Sequence, residues 1–143
     1  MTSEFFLVDT STWVEALRRG GNAQAREWLR RALAEQRVVT APPVKAELLS
    51  GAVSEEHFAR LKKDLDALPV LGRDEEVWGL AAEYNFRLRR RGVSVPLVDV
   101  LIACWAIVHN CTLAHHDRHY EMIRDAATGL SALAVPPWEG DPC

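Results

Sequence analysis

Cysteine is scarce in this 143-residue chain: Cys104, Cys111 and Cys143 are an odd number and include no C-x-x-C pair. That argues against a disulfide framework or a cysteine zinc site and leaves reduced thiols that pack like small apolar residues. Long apolar runs are missing too. None approaches the roughly 20 residues of a membrane span, and Met1-Thr2-Ser3-Glu4 carries an acid where a leader would be basic. Neither export nor membrane insertion is expected, and the cytoplasm is the expected location. A basic excess is absent as well: 17 Lys and Arg stand against 20 Asp and Glu, a formal charge of −3. No general field attracts nucleic acid, so any such contact has to be local.

There is no internal repeat and no low-complexity segment. With 48% hydrophobic and 26% charged residues, the composition is that of an ordinary globular domain long enough to bury one core. The boundaries read from the sequence are a domain over 1–135 and a Pro- and Gly-rich tail over 136–143.

Hydrophobic periodicity then orders the chain. Phe5-Phe6-Leu7-Val8 reads as a strand ending at the helix-capping cluster Asp9-Thr10-Ser11-Thr12. Apolar residues at helical spacing predict helices over 12–19 and around Ala25–Leu33, either side of Gly20-Gly21. Val38-Val39-Thr40 reads as a strand, Pro42-Pro43 as a helix start, and Ser54-Glu55-Glu56 as the start of another helix followed by a brief strand at Pro69-Val70-Leu71. A long helix is expected from Asp74 to Arg91. A nearly all-apolar one is expected from Leu97 to His109, then a strand at Cys111–Ala114, a helix from Arg118 to Ala126 and a last strand at Leu130–Val135. Short strands alternating with helices predict a three-layer α/β/α sandwich with a mostly parallel sheet, and in such sheets ligands sit at the carboxyl ends of strands.

Two acids fall at such ends. Asp9 follows the first strand and Asp117 the strand before the last helix, while Glu47 lies on a short helix and Asp99 is the one acid of the apolar helix. Carboxylates brought together repel and hold protons unless a divalent cation sits among them. Oxygen-only ligands suit Mg2+ or Mn2+, which leaves Asp9, Asp99 and Asp117 as candidate ligands and Glu47 as a ligand or a base acting through water. Each acid has a plainer reading: Asp9 and Asp117 as N-caps, Glu47 as a solvated side chain. For Asp99 the functional reading stands ahead of the plain one, because a lone carboxylate on an apolar helix is costly to bury unless paired or metal-bound. Ser11 is close enough to Asp9 to bond it or a metal-bound water, or simply to cap the helix.

The residues in this order resemble the PIN-domain family, specifically the VapC-type toxins of bacterial and archaeal toxin–antitoxin pairs. The blocks are Leu7-Val8-Asp9-Thr10-Ser11, Ala46-Glu47-Leu48-Leu49-Ser50-Gly51, Leu97-Val98-Asp99-Val100-Leu101-Ile102-Ala103 and Leu113-Ala114-His115-His116-Asp117-Arg118-His119-Tyr120. Together they span nearly the whole chain. The resemblance implies a PIN-like fold, endoribonuclease activity with magnesium or manganese, an RNA substrate, a homodimer and a VapB-like antitoxin whose C-terminal segment blocks the acidic groove. The chain departs from the pattern at His115-His116, where many relatives carry a hydroxyl residue beside the acid.

Other signals are open to two readings. His115, His116 and His119 suggest a transition-metal site or, more simply, hydrogen-bonded surface. Arg89-Arg90-Arg91 complements a helix dipole. Lys45 and Arg118 flank acids and are placed to meet RNA phosphates, and Trp13 is placed either to stack an unpaired base or to pack. The competing functions are a non-catalytic PIN-fold module that binds protein or RNA and a metal-dependent phosphatase for small molecules.

Overall fold

β1 (Phe6–Val8) is the strand around which the chain winds. It is followed by α1 (Thr10–Leu17), α2 (Ala23–Ala34), β2 (Val38–Val39), α3 (Pro42–Ser50), α4 (Glu55–Asp66), α5 (Asp74–Arg90), α6 (Leu97–Val108), β3 (Thr112–His115), α7 (Arg118–Asp125) and β4 (Ala132–Ala134). The computed structural model describes residues 4–126 and 128–140. The strands pair in the order β2-β1-β3-β4, every pairing parallel, with Leu7 opposite both Val39 and Leu113. Among the described residues, helices flank this sheet as an α/β/α sandwich.

The chain leaves β1 toward β2 on one side and later returns to β3 on the other. The order therefore reverses beside β1, and the carboxyl ends of β1 and β3 bound a crevice of the kind in which parallel sheets bind ligands. α6 explains its own position: Val100 to Ala106 are all buried, so a helix apolar on every side lies in the core. Its Trp105 donates Nε1–H to the Gly72 carbonyl at 3.2 Å, which pins the end of α6 to the start of α5 and makes the two helices antiparallel.

Several boundaries differ from expectation for local reasons. α1 starts at Thr10, because the Asp9 side chain accepts from the Ser11 N–H and caps the helix immediately. The strand expected at 69–71 is a single bridge between Thr40 and Val70; Thr40 N–H reaches Pro69 O and Leu71 N–H returns to Thr40 O, while Pro69 has no N–H of its own to extend the ladder. β3 runs one residue further than read, to His115. At the α1–α2 turn a Cβ on Gly21 would meet Glu15 O at 2.4 Å, so the reversal needs glycine there. Cys104 and Cys111 are buried free thiols, as read; Cys143 lies outside the described residues.

Residues 136–138 pack back on the domain. Thr12 Oγ1 donates to Val135 O, the Pro136 carbonyl lies 2.9 Å from His116 Nδ1, and Trp138 donates Nε1–H to Glu121 at 2.6 Å.

Candidate functional site

Asp9 leaves β1 at the sheet's carboxyl edge, 4% exposed, with both carboxylate oxygens engaged. Oδ2 accepts the Ser11 N–H at 2.9 Å and the Ser11 hydroxyl; Oδ1 accepts the Tyr120 hydroxyl at 2.7 Å. The capping and site readings of Asp9 are thus both realised by one side chain. A carboxylate has about four acceptor positions, so these bonds aim it without exhausting it. Ser11 Oγ in turn accepts the His116 N–H at 2.9 Å, which ties the end of β1 to the end of β3.

Asp117 arrives from β3 and caps α7 by accepting the His119 N–H at 2.9 Å. Its own N–H donates to His115 Nδ1 at 3.2 Å. A buried imidazole takes that backbone proton. His115 is 1% exposed, not surface as the sequence suggested, and burial pushes its pKa down and keeps the ring neutral, although the Asp9 charge opposes this.

Asp99 projects from the first turn of α6, its side chain 16% exposed. Burial, with the charges of Asp117 and Asp9 adding to it, pushes its carboxyl up to about 6 against the pull of His119. The imidazole of His119 lies between two acids, Nδ1 standing 2.8 Å from Asp99 Oδ2 and 3.3 Å from Asp117 Oδ1. Ligand atoms of Asp99, Asp117 and His119 all fall within 4.8 Å of one another. Donors this close, with the Asp99 carboxyl raised by its acidic neighbours, fit a divalent cation: oxygen donors suit Mg2+ or Mn2+, and an imidazole in the set favours the borderline end of that range.

Glu47 is exposed on α3 and accepts the Thr10 hydroxyl at 2.9 Å, which holds it next to Asp9 in the chain. Lys45 is turned to Asp66 at 2.7 Å, an acid it shares with Lys62. Trp13 is 6% exposed within the core, so it takes the packing role and has no ring face to offer a base. Arg118 is exposed, paired with Glu121 at 2.9 Å and stacked 3.9 Å over the Trp138 ring.

Sequence reasoning gave no role to Tyr120 or Thr10 and grouped His119 with its neighbouring histidines instead of with Asp99. The signal for Tyr120 was available. It shares the apolar face of α7 with Ile123, both fully buried, and that face brings the phenol under Asp9. Burial first, then the Asp9 charge, raises its pKa well above the ordinary phenol value, so it stays a donor.

The PIN domain family profile matches residues 6–126. Ribonuclease VapC11 of Mycobacterium tuberculosis is 36% identical over 121 residues, 82% of this chain and 90% of that protein, and Ribonuclease VapC18 of the same species is 30% identical over 136 residues, 92% and 96%. A DNA-bound VapBC complex from Salmonella typhimurium superposes with a TM-score of 0.75 at 22% identity, covering 94% of this chain and 98% of that one. VapBC-1 from nontypeable Haemophilus influenzae gives 0.75 at 21%, covering 93% and 99%. This chain belongs to the PIN-domain family and, within it, to the VapC type.

Proposed function

We propose that this chain is an endoribonuclease, the toxin of a VapBC-type pair, with Asp9, Asp99 and Asp117 holding Mg2+ or Mn2+ and Glu47 beside them. The observation that carries the reading is the crowding at the end of β1 and β3, where burial and like charge hold the Asp99 carboxyl near 6. A divalent cation bound there supplies charge neutralisation at the phosphate and a more acidic water. The protein's own groups do the rest. Ser11 and Tyr120 fix the Asp9 carboxylate, Asp117 is fixed by the start of α7, and in this reading Glu47, held by Thr10, is the base that takes the proton of the attacking water. Water forms the new P–O bond, and the bond from phosphorus to a ribose oxygen breaks.

The curated relatives are named ribonucleases, and the solved structures of the same fold are toxin–antitoxin complexes, some on DNA. By that likeness the partner is a VapB-like antitoxin; its lying across the acidic crevice and a homodimeric active unit are part of the same proposal. No helix among the described residues is long and apolar enough to cross a membrane, and a cytoplasmic site of action fits an RNA substrate. The test is cleavage of total cellular RNA by the purified, antitoxin-free chain with Mg2+ or Mn2+ and with chelator. Discrete fragments that vanish with chelator and with Asp99→Asn support the reading. Folded protein that cuts nothing in either metal refutes it and favours a binding module.

A further inference from the structure

We propose that the groove between the end of α1 and the segment after β4 is a subsite for one unpaired RNA base beside the scissile phosphate, a reading that rests on the nuclease function above. The groove has a volume of about 460 Å³, within the range of small-molecule pockets. One wall is Glu15, Arg18 and Asn22; the other is His116, Arg118 and Trp138. It adjoins the acids through two short links. Arg118 follows Asp117 directly, and His116 donates its N–H to the Ser11 hydroxyl that itself bonds Asp9.

The second wall is built from planar groups. The His116 ring lies 4.3 Å from the Trp138 ring at 33°, and the Arg118 guanidinium carbon lies 3.9 Å from its centroid. Trp138 is held in place by its Nε1–H bond to Glu121. The indole is taken up by these two contacts, so the planes left for a base are those of the imidazole and the guanidinium that rest on it, both groups on which splayed bases stack. The first wall offers hydrogen bonds to a base edge. Asn22 spends its Oδ1 on capping α2 through the Ala25 N–H, which leaves the Nδ2 amide as a donor. Glu15 and Arg18, paired at 3.1 Å, place an acceptor and donors next to it.

Charge selects the base over the phosphate as the occupant. Both arginines bring their own carboxylates, Glu15 and Glu121, and Glu139 adds a further acid to the lining, so the groove holds no uncompensated cation. Such a groove, with planar groups and mixed donors and acceptors, reads a base edge; a phosphate track needs uncompensated cations. The base has to be unpaired, because neither plane can reach one inside a duplex.

The test uses the full chain carrying Asp99→Asn, with fluorescent single-stranded decamers of each base and their duplexes. Asn22→Asp keeps the cap oxygen but removes the amide donors; Trp138→Ala removes the indole on which the His116 and Arg118 planes rest, and thermal unfolding checks that both variants fold. Each should weaken single-strand binding about tenfold, with duplex binding little changed. In the cleaving chain, mapped 5′ and 3′ ends should lose base preference at one position next to the cut. Unchanged single-strand affinity and unchanged preference overturn the subsite while leaving the nuclease standing. Equal losses for single strand and duplex overturn base recognition as well. A chain that cuts no RNA but still loses single-strand affinity through both variants supports the subsite while refuting the nuclease.

Discussion

Asp99→Asn removes the charge whose burial is most costly at the site while keeping the side chain's shape and an oxygen for His119 Nδ1–H. The carboxyl's folded pKa, about 6, lies above its ordinary 3.8. Folding therefore favours the protonated form: the stability this group contributes is whole below pH about 4 and is lost as pH rises through about 6. The interval, at about 1.4 kcal/mol per pH unit, is about 3 kcal/mol. The side chain is only 16% exposed, so solvent screens little of it. In chelator at pH 8 the variant should accordingly be about 2 kcal/mol more stable than the native chain, a melting temperature higher by about 5 °C at this size. The gap should hold down to about pH 6 and close between there and about pH 4. Millimolar Mn2+ or Mg2+ should reverse the order, since the native chain gains about 2.7 kcal/mol at a hundred times its Kd and the variant far less. Cleavage should fall at least about a hundredfold throughout. Calorimetric scans at pH 4, 6 and 8, with and without metal, measure all of this. A variant that melts below the native chain in chelator at pH 8, or a gap that ignores pH, would refute the account of crowded like charge.

Tyr120→Phe removes the buried donor to Asp9 and should cost about 1.5–3 kcal/mol in urea unfolding, equally at pH 6 and pH 8 because the phenol does not titrate there. A loss confined to activity would mean the hydroxyl does not support the fold. Ser11→Ala strands the His116 N–H and frees one side of Asp9; about 1–2 kcal/mol of stability and about tenfold in cleavage rate should go together. Glu47→Gln touches an exposed side chain held, among the described residues, by Thr10 alone, so stability should stay within about 0.5 kcal/mol while cleavage drops about a hundredfold. A Gln variant cutting at the native rate would remove Glu47 from the reaction.

Most of the secondary structure could be read because it is written in local patterns: Asp9, Ser54 and Asp117 cap the helices they precede, and α6 announces its burial by having one charged residue, Asp99, among its apolar ones. Boundaries slipped where a partner strand decides them, as at Val70, where Pro69 limits pairing to a bridge. The misplaced side chains share a cause. Trp13 and Lys45 look available from their neighbours in sequence, and only packing shows that one fills the core while the other is claimed by Asp66 on α4.

The order of strand, acid and helix, repeated at Asp9 and Asp117, together with one acid on a buried helix, suffices to point to a parallel sheet and an acidic site, because capping, periodicity and the cost of a buried charge act over a few residues. What tertiary structure alone decided is which groups meet. Tyr120 reaches Asp9 across 111 positions of sequence, His119 stands between Asp99 and Asp117, and Trp138 returns to wall a groove beside Arg118. Those contacts depend on the parallel register of β1 against β3 and on the direction in which α7 leaves the sheet, and no local propensity encodes either.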